Sequence, residues 1–172
     1  MLRGADVTLV HGHMEVNPPL FVNCVAVTSA EDMFNAVTSV SDTQDIIIKA
    51  AAVSDYTPMT VADNKIKKSD GDMSIPLKRT ADILRYLGEH RVPGQVICGF
   101  SMETQNVIEN SQKKLFSKNC DMICANSLSQ EGSGFKSDTN IITLITANGA
   151  ESLEKMSKSQ AAHIILSRLM QL

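Results

Sequence analysis

The chain is 172 residues long, 43% hydrophobic and 20% charged, and its 16 Lys+Arg against 19 Asp+Glu leave a net charge of −3. That length suits one globular domain with a core of its own, and the acidic balance lacks the basic footprint that binding to a DNA or RNA backbone needs. No apolar run approaches the about 20 residues that cross a bilayer and Met1 opens no secretory leader, while the 4 cysteines, Cys24, Cys98, Cys120 and Cys124, are too few and too buried-looking for a disulfide framework, which points to a reducing cytoplasm.

Strand and helix patterns alternate along the chain. Residues 7–10 are a short β-branched run between Gly4 and Gly12, and residues 22–27 are a second strand. Ser29 stands at an N-cap position with Asp32 three residues on, and Met33, Phe34, Val37 and Val40 recur at helical spacing. Residues 45–52 are flush with apolar residues rather than alternating, as in a parallel strand covered on both faces. Residues 57–69 have neither period and carry Pro58 and a lysine cluster, which predicts a loop or flap.

Residues 73–77 predict a short strand broken by Pro76, and Thr80 the cap of a helix with Ile83, Leu84 and Leu87 inward. Strand 95–100, helix 106–118 and strand 121–125 follow. Residues 138–146 predict a strand ending at the Asn148-Gly149 turn, and 157–172 a closing amphipathic helix. This alternation implies an α/β fold with a mostly parallel, doubly wound sheet. The opening is unusual: Leu2-Arg3-Gly4-Ala5 reads as a last helical turn with its C-cap glycine, running straight into a strand. The expectation is that the first strand, glycine turn and helix of such a fold are missing.

Several residues invite a chemical reading. His11 and His13, with Cys120 and Cys124, could be metal ligands, but no second pair has zinc spacing, and a Cys in a buried strand behaves as a small hydrophobe. There is no Walker sequence and no complete G-x-G-x-x-G. The strongest signal is Ala50-Ala51-Ala52-Val53-Ser54-Asp55-Tyr56 at a predicted strand end, where open α/β sheets bind ligands. Small side chains there let a ring or phosphate approach the backbone, and Asp55 could hold a ribose hydroxyl or a cation; a buried strand followed by a turn is the plainer alternative. Lys65-Ile66-Lys67-Lys68 is either a solvated surface or the basic tip of a lid over phosphates. Lys114 and Lys118 share a helix face, held by the helix dipole or by an anion between them. Phe100 ends one strand and could stack on a base, or fill the core. Asn126 ends another and could read a polar group, or start a turn.

Arg3–Val10, Ala51–Tyr56, Lys65–Lys68, Gly99–Thr104, Asp121–Asn126 and the 134–140 stretch Gly-Phe-Lys-Ser-Asp-Thr-Asn occur in that order. The set resembles phosphopantothenoylcysteine synthetase, the ligase half of the bifunctional coenzyme A biosynthesis flavoprotein, over essentially the whole chain. The resemblance implies a Rossmann-like three-layer sandwich lacking its first strand–glycine turn–helix unit, with 1–172 as one partial ligase domain and 57–69 as its flap. It also implies a ligation in which CTP activates 4′-phosphopantothenate as an acyl-cytidylate and cysteine displaces CMP, with Mg²⁺ assisting and no FMN on this chain. By motif match, Ala51, Ala52, Val53 and Asp55 would hold the nucleotide, Lys65 would be the catalytic flap lysine, and Ala81, Asp82, Ile83 and Leu84 would stand where the family has Pro-Asp-Ile-Val. Phe100, Lys114 and Lys118 would complete the nucleotide site, with Asn126 on substrate. The metal ligands stay unassigned.

The resemblance further implies a homodimer, for which 138–146 has edge-strand character, and a flavin decarboxylase domain in the full-length protein. Without the family's glycine turn and its Ser-Asn-His-Ser-Ser-Gly segment, weak or no ligation by this chain alone is expected. The readings left beside it are a non-catalytic nucleotide-binding remnant and a ligase using ATP.

Overall fold

A computed structural model of the chain describes residues 1–68, 71–103, 105–127 and 139–172. The elements in chain order begin with β1 (Thr8–His11), β2 (Asn23–Ala26), α1 (Ala30–Thr38), β3 (Ile46–Lys49), β4 (Tyr56–Pro58), β5 (Leu77–Arg79) and α2 (Ile83–Glu89). They continue with β6 (Val96–Glu103), α3 (Val107–Ser117), β7 (Met122–Ser127), β8 (Thr139–Asn140), β9 (Ile142–Thr146), β10 (Gly149–Ser152), β11 (Met156–Ser157) and α4 (Lys158–Leu169). The chain divides into two compact units, Met1–Val37 with Ala51–Asp82, and Thr38–Ala50 with Ile83–Leu172.

In the first unit β1 and β2 pair in parallel, Thr8 opposite Asn23. The cap expected before α1 is present: the Ser29 amide donates to Asp32 Oδ2 at 2.9 Å and the Asp32 amide to Ser29 Oγ at 3.1 Å. β4 and β5 form an antiparallel ladder, Tyr56 opposite Arg79. The strand predicted at 73–77 therefore lies later, at Leu77–Arg79. Pro76 has no N–H for a ladder and contributes only its carbonyl, which accepts from the Met59 amide at 2.9 Å. Thr80 is not a helix cap either. Its hydroxyl donates to Ser54 O at 2.6 Å and its amide to Asp55 O at 3.0 Å, continuing the hairpin.

The second unit is built on a five-stranded sheet of order β10-β9-β7-β6-β3. β3, β6 and β7 run parallel, and β9 and β10 are antiparallel additions joined by a tight turn at 147–148. Alternate residues face two different helical layers. Cys98, Met122, Cys124, Ile142 and Leu144 pack with Ala161, Ile165 and Leu169 of α4. On the other face Gly99 leaves room for Leu84 of α2 and Ile123: a Cβ there would come within 2.6 Å of one and 2.9 Å of the other. Helices on both faces make this unit a three-layer α/β sandwich, and β6 and β7 are apolar through Phe100 and Ala125, turning polar only toward their carboxyl ends, because both their faces are covered. α4 opens with Ser157, whose hydroxyl accepts from the Gln160 amide while Gln160 Oε1 accepts from the Ser157 amide.

A polar clip closes the sheet at the amino ends of its parallel strands. Buried Gln95 donates both amide hydrogens, to Ser41 O at 2.8 Å and Gln44 O at 2.7 Å. Asp121 accepts from the Ile97 amide at 2.7 Å and from Arg91 Nη2 at 3.0 Å, and the same Arg91 nitrogen donates to Gln95 O. These bonds consume carbonyls and amides that the strand ends would otherwise leave unpaired.

Three further expectations are corrected. The strand predicted over 45–52 stops at Lys49, and Ile46 and Ile48 are 37% and 40% exposed, because β3 lies at the sheet edge and has one strand neighbour among the described residues. The 138–146 stretch is not an edge: β8 pairs with β11, and β9 has β7 on one side and β10 on the other, so its ladder groups are consumed and the edge belongs to β10. Cys24 is exposed on β2, whereas Cys98 and Cys124 are buried with their sulfurs 3.7 Å apart. The hydrogen bond with Cys124, and then burial, push the Cys98 thiol far up; burial pushes Cys120 up to about 12. All four cysteines are free thiols.

Candidate functional site

The candidate residues fall in both units. Ala51, Ala52, Val53, Asp55, Lys65, Ala81 and Asp82 belong to the first, and Ile83, Leu84, Phe100, Lys114, Lys118 and Asn126 to the second.

In the first unit, 51–54 carries no regular structure, so its backbone groups are not used up in a ladder; Ala51, Ala52 and Asp55 are exposed and Val53 half-buried. The turn after it is rigid. Ser54 Oγ donates to Tyr56 O at 2.8 Å, and Thr80 clasps Ser54 O and Asp55 O, which fixes the backbone that carries the Asp55 carboxylate. Lys65, Lys67 and Lys68 are exposed in an irregular stretch beyond the β4–β5 ladder, at the far end of the predicted flap. Ala81 and Asp82 are exposed just before α2.

In the second unit, Ile83 and Leu84 are each 3% exposed, so their side chains belong to the core and only their backbone is left to meet a ligand. Phe100 does not end its strand, since β6 continues to Glu103, and its side chain packs against the core; within β6 the structure brings Phe100 and Lys114 together, Lys114 Nζ donating to Phe100 O at 3.0 Å. An ammonium on a neutral carbonyl keeps its full charge and two further donors, so this bond aims Lys114 without neutralising it. Lys118 is the C-cap of α3, its amide donating to Lys114 O at 3.0 Å. Asn110, Lys114 and Lys118 sit at i, i+4 and i+8 on α3 and therefore share one stripe, half-buried along its length.

Sequence reasoning missed the groups that hold this stripe in place. Glu103 accepts from Ser101 Oγ at 2.9 Å and from Asn110 Nδ2 at 3.4 Å, tying the end of β6 to the first turns of α3. At the other end, Gly88 lies against the Lys118 carbonyl, and Asn119, at φ 50°, donates its side-chain amide to Gly88 O at 2.8 Å. An Asn just past a helix end is a signal for the left-handed turn; the Glu103 bonds leave no comparable mark. Asn126 is the penultimate residue of β7, opposite Met102, and its Oδ1 accepts from Asn140 Nδ2 at 3.3 Å. The stretch 128–138, with most of the last quoted motif, and Thr104 lie outside the described residues.

A metal held by protein groups alone finds no support here: among the described residues no three His, Cys, Asp or Glu gather closely enough. The ring Nδ1 of His11 lies 2.8 Å from Gly12 O, which occupies one of its nitrogens. Among the described residues no helix is long and apolar enough to cross a membrane.

A parallel sheet core sandwiched by helices, with a lysine stripe and polar strand ends at its carboxyl edge, defines the class of α/β domains that bind ligands beyond their strand ends. The chain belongs to the DNA/pantothenate metabolism flavoprotein C-terminal domain family, which it matches over residues 1–172. The coenzyme A biosynthesis bifunctional protein CoaBC of Bacillus subtilis is 45% identical over 168 residues, 96% of this chain and 41% of that protein. A crystal structure of the C-terminal domain of a CoaBC superposes with a TM-score of 0.81 at 38% identity, covering 99% of this chain and 77% of that one. A Cab2 H337A mutant in complex with phosphopantothenate-cysteine shares the fold, with a TM-score of 0.69 at 17% identity over 87% of this chain and 52% of that one. The chain spans less than half the length of the curated relatives it matches. The resemblance to a phosphopantothenoylcysteine synthetase domain thus holds across the chain.

Proposed function

We propose that this chain is a phosphopantothenate–cysteine ligase domain acting in coenzyme A biosynthesis. The observation that carries the reading is the family match over the full 172 residues, and the Lys114–Phe100 contact in the carboxyl half of β6 supports it. In the proposed reaction the 4′-phosphopantothenate carboxylate attacks the α-phosphorus of CTP, releasing pyrophosphate and leaving an acyl-cytidylate. The cysteine amine then attacks the acyl carbon, loses a proton and displaces CMP. A carboxylate is a poor electrophile until its oxygen carries a good leaving group, which is why a nucleotide is consumed.

Negative charge builds on the phosphates in the first step, so the catalytic demand is for fixed cations. Lys65 is assigned to the developing phosphate charge, Lys114 and Lys118 to the nucleotide, Asp55 to its ribose or cation, and the open backbone of 51–53 to its flat faces. Mg²⁺ would arrive with the triphosphate, since such ions are commonly held by substrate oxygens and one or two carboxylates; it would offset phosphate charge. A dimer and a flavin decarboxylase partner domain belong to the same reading.

A second reading is a domain that binds nucleotide without turning it over. One assay separates them: pyrophosphate release from CTP and 4′-phosphopantothenate, with and without a polypeptide supplying the family's opening segment. Release that needs the added segment, and that drops at least about 100-fold for Lys65→Gln, supports the ligase reading. Calorimetric CTP binding with no release in either mixture supports the remnant, and unimpaired release by Lys65→Gln overturns the role given to the flap lysine.

A further inference from the structure

Asn126 and Asn140 make an arrangement whose polarity can be read outward from the backbone. The two ends of a side-chain amide are nearly alike in shape, and only their neighbours decide which is donor and which acceptor. Here the Ile141 amide, which can only donate, lies 3.0 Å from Asn140 Oδ1. That fixes the oxygen end of Asn140 and turns its Nδ2 toward Asn126, whose Oδ1 accepts at 3.3 Å. With its oxygen engaged, Asn126 has one remaining end, Nδ2, for which no acceptor is found among the described residues. Asn140 is 8% exposed and held in β8, whereas Asn126 is half-buried at the carboxyl end of β7. The direction of each amide is thus set by the one before it, starting from a backbone group that cannot flip.

We propose that Asn140 is a positioning residue that holds Asn126 as a hydrogen-bond donor, so that this point of the site recognises an acceptor oxygen of the ligand. The acceptor is a base carbonyl or a phosphoryl oxygen of the nucleotide, in place of the substrate contact expected of Asn126 from the sequence; that a nucleotide is the ligand rests on the ligase reading above. It explains why an asparagine, rather than an aspartate, suits position 126: a carboxylate there would set a negative charge against an anionic ligand and would offer it no donor.

Asn140→Asp inverts the relay. A carboxylate at 140 still accepts from the Ile141 amide, but it can no longer donate to Asn126, which must rotate its amide to donate inward and present its oxygen outward. The test reads side-chain amide hydrogen exchange by NMR on the full chain, together with CTP affinity by calorimetry. Slowed exchange of the Asn140 amide hydrogens with fast exchange of those of Asn126, and slowed Asn126 exchange in Asn140→Asp, support the relay. Equal exchange of the Asn126 amide hydrogens in the two proteins overturns it. CTP binding should weaken about tenfold in Asn140→Asp but less than about threefold when the same change is made in Asn126→Ala. A similar loss in both backgrounds assigns the effect to the added charge and overturns the positioning role.

Slowed Asn126 exchange on adding cytidine points to the base carbonyl, and on adding inorganic pyrophosphate to a phosphoryl oxygen. Should the unsubstituted chain bind no CTP while the exchange pattern inverts as stated, the nucleotide reading fails and the relay stands.

Discussion

Gly88→Ala is the most demanding test of how α3 is held. A Cβ built at Gly88 would lie 1.8 Å from the Lys118 carbonyl oxygen, 2.9 Å from its carbonyl carbon and 3.2 Å from Asn119 Cβ. The first two are backbone atoms, so no rotamer change relieves the overlap. An ordinary contact requires α2 and the end of α3 to part by about 1.5 Å or more. Overpacking of that kind costs about 1–3 kcal/mol and here belongs at the top of the range. Separation also breaks the 2.8 Å bond from Asn119 to Gly88 O, worth about 1 kcal/mol. The better helix propensity of alanine returns about 1 kcal/mol. The balance is a loss of about 3 kcal/mol, which at a urea slope of about 2 kcal/mol/M lowers the midpoint by about 1.5 M. Urea titration followed by far-UV circular dichroism measures it, with Gly12→Ala as control, since a Cβ there meets only Val27 O at 3.9 Å. A midpoint unchanged or raised in Gly88→Ala would refute the close approach, because propensity alone predicts a gain.

The Asp32 carboxylate, held below the usual carboxylate range by hydrogen bonds from the Ser29 hydroxyl and then the Ser29 amide, makes the α1 cap pH-dependent. A depressed folded pKa means stability present above the unfolded value and lost as pH falls through the folded one; α1 amide exchange should quicken below about pH 4, and Asp32→Asn should remove that dependence, a result excluded if the two proteins keep identical acid profiles. Thiol labelling should follow burial, with exposed Cys24 first, half-buried Cys120 much later, and Cys98 and Cys124 only on unfolding; mass mapping of a limited reaction checks the order, and early modification of Cys98 contradicts the packed pair. Gln95→Ala strands the carbonyls of Ser41 and Gln44 and should cost about 2–3 kcal/mol, read as a shift in urea midpoint; a loss below about 0.5 kcal/mol means that water replaces the amide.

Elements with a local cause were legible in the sequence. The Ser29/Asp32 and Ser157 starts follow from side chains reaching their own helix's first amides, and helix 106–118 differs from Val107–Ser117 only at its caps. The strands read at 95–100 and 121–125 are present as β6 and β7, each running two or three residues further, while the rule that a strand covered on both faces is rich in apolar residues enters the sequence reading only at 45–52. There it misled. Three isoleucines in a row mark a strand suited to two neighbours, yet β3 has one among the described residues, so composition reported the environment for which the strand is suited rather than the one it has. Placing the edge at 138–146 failed for a related reason. The apolar content of Ile142–Thr146 reports that the strand is covered and carries no information on how many ladder edges are filled, which is a property of β7 and β10.

At the site the division is between residues that carry charge and residues that aim it. Lysines and an aromatic are conspicuous in composition, so Lys114, Lys118 and Phe100 could be named from the chain alone. What holds them is a set of neutral groups with no signature of their own: a carbonyl under Lys114, a glycine against Lys118 O, Ser101 and Asn110 on Glu103, and Asn140 behind Asn126. Each acts through a contact distant in sequence or through an amide whose orientation depends on its neighbour. A lysine on an exposed helix face is worth little to an anion while it samples several rotamers, because ordering it costs side-chain entropy. Lys114 meets part of that cost before any ligand arrives, its head already on Phe100 O and its helix fixed at both ends. For the same reason, loss of a neutral partner such as Asn110 should weaken anion binding without removing any charge, a pattern that a purely coulombic site would not produce.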